Sequence, residues 1–192
     1  MKTRTCLAVA AAMVLLASCS SQPPEIAEAA AAPQTRSNGA PAGTHTARAT
    51  LKALHDSGVT GTVTFTSTPE GVRVEAHVNG LTPGSHGFHI HEIGDCSSPD
   101  GKSAGGHFNP MGVDHAGPNA AQAHAGDLGN IEANANGHGM LNRVSSRISL
   151  GGNTTNILSR AVIIHAKADD LTSQPTGAAG GRVACGVIEP ID

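Results

Sequence analysis

The stretch Val59-Thr60-Gly61-Thr62-Val63-Thr64-Phe65-Thr66 decides the fold class. Its apolar residues alternate with threonines at a period of two, the pattern of a strand with one face buried and one exposed. Gly71-Val72-Arg73-Val74-Glu75-Ala76-His77-Val78-Asn79 repeats the alternation and puts Val72, Val74, Ala76 and Val78 on the core face. Further strand candidates are Thr46 to His55, Gly87 to His91, Leu128 to Asn134, Gly139 to Val144, Ala161 to Ala166 and Val183 to Ile188. Turn residues punctuate them, as in Leu81-Thr82-Pro83-Gly84 and Asn134-Ala135-Asn136-Gly137, and no segment has the period of an amphipathic helix. About eight short strands predict an all-β sandwich or flattened barrel. Two connections are long for such a scaffold, Glu92 to about Asp127 and Lys167 to Arg182, and long ordered loops on a β framework carry function.

Outward from these strands the chain changes character. Residues 1–18 read as a secretory signal, with Lys2 and Arg4 before the apolar run Leu7 to Leu16, which is too short to span a bilayer as a mature helix. The run ends in Leu16-Ala17-Ser18-Cys19, which resembles a bacterial lipobox and makes Cys19 the expected lipid anchor to a membrane. Residues 19–45 are rich in Ala, Pro, Ser, Gln and Gly, with Ile26 the single large apolar side chain. They cannot bury enough surface to offset their ordering entropy and read as a flexible tether. Residues 46–192 remain as one folded domain, exported to the periplasm or cell envelope. Export also explains the cysteines. Cys6 leaves with the signal and Cys19 takes the lipid, so Cys96 and Cys185 are one pair in an oxidising compartment, where a disulfide is expected. Charge excludes one class of partner: lysines and arginines are scattered singly, the net charge is -3 and aromatics make up 2%, so nucleic-acid binding has no basis.

Of the eleven histidines, His45, His55, His77 and His138 lack neighbours at ligand spacing. His89-Ile90-His91 is different, because residues at i and i+2 project from one face of a strand. His107, His115, His124 and Asp127 offer three imidazoles and a carboxylate, a set suited to tetrahedral zinc. Four imidazoles in a roughly planar array suit copper(II). Of the cluster only His89, His91 and His165 are left for copper, so a fourth ligand must be shared, and an imidazole that loses both ring protons between two cations can bridge them.

Five segments then resemble, in order, the copper/zinc superoxide dismutase family. They are Gly87-Phe88-His89-Ile90-His91-Glu92, Ser103 to Pro110, His115-Ala116-Gly117-Pro118 with His124 to Asn130, Val162 to Asp170, and Gly181 to Ile188. The resemblance covers nearly all of the chain from Thr46 onward and implies an eight-stranded antiparallel Greek-key barrel with two functional loops. It further implies copper on His89, His91, His107 and His165, and zinc on His107, His115, His124 and Asp127, with His107 shared. Asp169 would accept hydrogen bonds from His89 and His115, His86 would support the site through the backbone, and Cys96 would pair with Cys185. Superoxide would be the substrate, oxidised to dioxygen by one copper state and reduced to hydrogen peroxide by the other. His107 would carry a proton and Arg182 would attract the anion. Bacterial members occur as monomers and as dimers, so a homodimer is compatible with the resemblance. Two departures stand out. Cys96 lies five residues after His91, as in bacterial periplasmic members, and the 167–182 loop is shorter and less charged than in eukaryotic ones.

Three readings compete with the enzyme: a copper or zinc reservoir of the envelope, a copper-only enzyme, and a purely structural lipoprotein. The complete zinc set His115, His124 and Asp127 disfavours the second, and the histidine spacing disfavours the third. Growth with a radioactive fatty acid should label the mature protein and leave a Cys19→Ser variant unlabelled. An unlabelled native protein would remove the anchor.

Overall fold

The structure, a computed structural model, describes residues 45–191. The signal, the lipobox with Cys19 and nearly all of the 19–45 tether lie outside the described residues. Eight strands run in chain order: β1 (Thr46–Ala53), β2 (Thr60–Thr68), β3 (Gly71–Asn79), β4 (Gly84–His91), β5 (Asp127–Ala133), β6 (Gly139–Ser145), β7 (Ala161–His165) and β8 (Arg182–Ile191). They close into an antiparallel barrel in the order β1-β2-β3-β6-β5-β4-β7-β8. The β3–β6 and β4–β7 neighbours are the long crossovers of a Greek key.

The alternation read from sequence is the alternation observed. Val63 and Phe65 of β2 and Val72, Val74, Ala76 and Val78 of β3 face one core, joined by Ala47, Ala49 and Leu51 of β1. Strand ends moved slightly. β4 begins at Gly84 because Ser85 and His86 already pair with Glu132 and Ile131 of β5. β1 stops at Ala53, and His55 turns the chain at φ 49.

β4 and β7 do not alternate between buried and exposed. Every residue from His86 to His91 and from Ala161 to His165 is buried. Both faces are covered: Phe88, Ile90, Val162 and Ile164 point into the barrel core, while Ala161 and Ile163 pack outside it with Leu54, Ala104 and Cys185. That outer cluster exists because residues 92–126 fold back over the strands. Cys96 joins it and forms the disulfide to Cys185 of β8, across 89 residues of sequence. A third long connection, 146–160, was not singled out in the sequence. Its Ile148, Leu150 and Ile157 close one end of the core, so this connection does packing work rather than chemistry.

A loop of 89 residues gives the disulfide about 4–5 kcal/mol in the chain-entropy model. The paired variant Cys96→Ser/Cys185→Ser should therefore lose about 2–5 kcal/mol in equilibrium urea unfolding. A midpoint equal to that of the parent would show that the outer apolar cluster alone holds the loop.

Candidate metal centre

Three parts of the fold deliver the site residues to one place. β4 contributes His86, His89 and His91, β7 ends on His165, and β5 begins with Asp127. The 92–126 loop brings His107, His115 and His124, and the 166–181 loop brings Asp169. The first loop is stitched to β4 by backbone: the Phe108 and Ile90 amides donate to the Ile90 and Gly126 carbonyls at 2.8 and 2.9 Å, and Gly126 donates to Phe108 at 2.9 Å. Gly126 is required there, because a Cβ would lie 2.1 Å from the Ile90 carbonyl oxygen.

The result is two groups of four potential ligands, each with its donor atoms within 4.8 Å of one another. One is His89, His91, His107 and His165; the other is His107, His115, His124 and Asp127. His107 belongs to both, and its ring centroid lies 3.9 Å from that of His89. Every residue expected from the sequence to bind metal is thus buried in one of these two groups.

Hydrogen bonding tests whether the groups fit metals. Buried ring nitrogens without a partner are expensive and therefore rare. Here six occur together: Nδ1 of His89, His115 and His124 and Nε2 of His91, His107 and His165. In most of these rings the other nitrogen is committed to a protein acceptor. His89 Nε2 donates to Asp169 Oδ2 at 2.8 Å, His115 Nε2 to Asp169 Oδ1 at 3.0 Å, His91 Nδ1 to the Gly105 carbonyl at 3.0 Å and His165 Nδ1 to the Gly180 carbonyl at 3.3 Å. Each such bond fixes the tautomer and leaves a lone pair aimed into the cluster. His107 differs, with Nδ1 2.8 Å from Asp127 Oδ1 and Nε2 unpartnered.

Asp127 Oδ1 also lies 3.0 Å from His115 Nδ1 and 3.3 Å from His124 Nδ1. Zinc bonds of about 2.0–2.1 Å require tetrahedral ligand–ligand edges of about 3.3 Å, so this donor set fits zinc closely. The other set is all imidazole nitrogen, the donor type that suits copper.

A further layer holds the ligands. Asp169 joins the two groups through one carboxylate, and its backbone is gripped by Asn130, whose Oδ1 accepts from the Asp169 amide at 2.7 Å and whose Nδ2 donates to its carbonyl at 2.9 Å. Gln174 grips His115 in the same manner, at 2.9 and 2.8 Å. Gly177, at φ +67, leaves room for the carboxylate, since a Cβ would sit 1.8 Å from Asp169 Oδ1. His86 Nδ1 donates to the His165 carbonyl at 2.8 Å and its Nε2 faces Thr82, which makes it a backbone brace and not a ligand. Sequence reading found Asp169 and His86 but gave no role to Asn130 or Gln174. In the sequence Asn130 lies at the end of the His124–Asn130 segment, which is its one signal, and Gln174 carries none.

Arg182 opens β8 at the rim of the first group. Its Nη1 and Nη2 donate to the carbonyls of Gly101 and Gly105 at 2.5 and 2.6 Å, and Gly105 is the carbonyl that also receives His91. Its charge reaches the group, lowering the pKa of both His91 and His165. Burial is the larger cause for those two rings and for His89 and His124, and it holds all four below the ordinary histidine value. For Asp127 burial acts in the raising direction, but the His107 hydrogen bond and the neighbouring imidazoles outweigh it and keep the carboxylate low. His89, His91, His124 and His165 are thus disposed to be neutral beside an ionised Asp127, the protonation state metal binding requires.

The chain is similar to known proteins. The family profile described as copper/zinc superoxide dismutase matches residues 59–188. A Deinococcus radiodurans protein named superoxide dismutase (Cu-Zn) is 43% identical over 145 residues, spanning 70% of this chain and 79% of that protein. A crystal structure described as the clock protein EA4 superposes with a TM-score of 0.69 at 43% identity, covering 75% of this chain and 93% of that one.

Depressed histidine pKa values fix the pH response of the metal-free protein. An unfolded chain takes up histidine protons near pH ~6.5, whereas His165 stays neutral in the fold down to about 4. Between those limits the unfolded state binds more protons, so stability falls as the pH falls. The urea midpoint of metal-free protein should decline from about pH 6.5 to about 4 and be flat above 7, while bound metals should delay the decline to lower pH. A midpoint constant across that interval would show that the rings do not stay neutral.

Proposed function

The chain belongs to the copper/zinc superoxide dismutase family, and on that premise we propose how its residues divide the work. The enzyme is an oxidoreductase that converts superoxide to dioxygen and hydrogen peroxide, and the family binds copper and zinc. His89, His91, His107 and His165 would hold copper and His107, His115, His124 and Asp127 would hold zinc, with His107 shared between the two groups. The observation that carries the division is the membership of His107 in both donor groups, with Nε2 turned to one and Nδ1 to the other. Copper, when bound, supplies a one-electron couple, which zinc cannot.

The residues of the chain supply the rest. Two superoxide anions and two protons become one dioxygen and one hydrogen peroxide. Arg182 draws the anion toward the first group, because its guanidinium is spent on two neutral carbonyls and keeps its full charge. His107 Nε2 is the proton carrier. It has no protein partner of its own, so it would be free to hold a proton and pass it to the substrate without breaking a structural bond. Asp169 keeps His89 and His115 in fixed tautomers throughout, so proton exchange stays at His107.

Location is part of the proposal. The 1–18 signal, Cys19 and the 19–45 tether support an envelope enzyme anchored by lipid and held away from the membrane, where charged superoxide generated outside the cytoplasm would accumulate. A homodimer is the oligomeric form to test first.

Arg182→Ala should lower the rate with superoxide by about tenfold and flatten its dependence on salt, with both metals still bound. His107→Ala should retain the fold while abolishing the spectroscopic coupling between copper and zinc and most of the activity. Full activity in the second variant would overturn the proton route, and unchanged salt dependence in the first would remove steering.

A further inference from the structure

Away from the metal centre, a cavity of about 590 Å3 lies between β6 and the outer part of the 92–126 loop, lined by Asn119, Arg143, Ser145, Ser146 and Arg147 among others. No carboxylate lines it, and neither arginine forms an ion pair among the described residues. Arg143 donates through Nη1 to the Leu128 carbonyl at 2.9 Å. Arg147 donates through Nη1 to the Pro118 carbonyl at 2.6 Å and through Nη2 to Ala120. A guanidinium has five N–H donors, so these carbonyls leave donors unused on both side chains and neutralise neither charge.

Comparison within the molecule sharpens the point. Burial lowers the pKa of Arg143, Arg160 and Arg182 alike. Glu92 and Asp100 partly restore the latter two. Arg143 has no such carboxylate. It also occupies the inward phase of β6, between exposed Asn142 and Val144, a place where an apolar side chain would ordinarily sit. Two uncompensated cations, two hydroxyls and an amide face one polar space.

We propose that this cavity binds a small phosphate ester, its phosphate group held between Arg143 and Arg147 with Asn119, Ser145 and Ser146 as neutral donors. Guanidinium and phosphate match in charge and in their paired donor and acceptor geometry. The volume falls within the range of small-molecule sites and exceeds what a bare phosphate fills, which leaves space for an organic remainder. The same guanidiniums hold Pro118, Ala120 and Leu128, which lie along the chain among His115, His124 and Asp127. Occupancy therefore bears on the loop that carries the zinc-type ligands.

The test is an amide NMR titration of the fully metal-loaded, copper-reduced protein, which is diamagnetic. Glycerol 3-phosphate, inorganic phosphate, neutral glycerol and phosphatidylglycerol-containing vesicles are added in separate arms. The expected result is saturable shifts at Asn119, Ser145 and Ser146 with glycerol 3-phosphate, weaker ones with inorganic phosphate and none with glycerol. Response to the vesicles instead would identify the phosphate as that of a lipid headgroup. Arg143→Gln should weaken binding by about tenfold or more. Ser146→Glu leaves every carbonyl bond in place and puts a carboxylate in the cavity, so it should abolish binding while dismutase activity and metal content stay unchanged. Non-saturating shifts, shifts confined to the Arg182 side of the barrel, or undiminished binding by Ser146→Glu would overturn the proposal.

Discussion

Six imidazoles share one buried seam, and each aims a nitrogen without a protein partner into it. This constraint organises much of the molecule. Bare nitrogens in a low-dielectric interior cost free energy that ordinary packing would eliminate by turning the rings. The rings cannot turn, because Asp169, Gly105 and Gly180 hold His89, His115, His91 and His165 by their opposite edges. Those holders sit on loops, so the loops must be as immobile as strands. The disulfide, the outer apolar cluster and the Ile90–Gly126–Phe108 stitch provide that rigidity. The metal-free fold is thereby kept in a shape that only metal can relieve, and metal affinity becomes stability of the fold.

The two sites are not independent within this arrangement. His107 is common to them on one side and the Asp169 carboxylate ties His89 to His115 on the other. A displacement at either site is felt at the other through two short, stiff connections. Asn130 and Gln174 extend the same logic outward, since each grips a backbone segment by donor and acceptor together, leaving less freedom than a single bond would.

Much of this was legible from the residues. The period of two in β2 and β3 survives into the barrel because one face of each meets solvent. The burial of β4 and β7 on both faces was not readable in that way, since the covering layer comes from a distant loop and not from a neighbouring strand. The candidate ligands were readable because metal chemistry restricts their type and spacing, and the family likeness ordered them. Asn130 and Gln174 were not, because a side-chain amide that grips backbone looks like any surface amide until the partner is in place. The 146–160 connection escaped for a related reason: Ile148, Leu150 and Ile157 are apolar without a period, and their value lies in where the chain end of the barrel happens to be.

Closure of the barrel has a bearing on association between copies. Among the described residues each strand has a neighbour on both sides, from β1 round to β8 and back, so there is no free edge strand, although β5 and β6 pair only at Glu132–Met140 and Ala133–Gly139. Open sheets at high local density invite strand-to-strand association, which is how many β proteins polymerise. A ring without a free edge strand is a poor template for that route. Copies at high local density are thereby spared strand-to-strand joining, and each keeps Arg182 at the rim of its first histidine group.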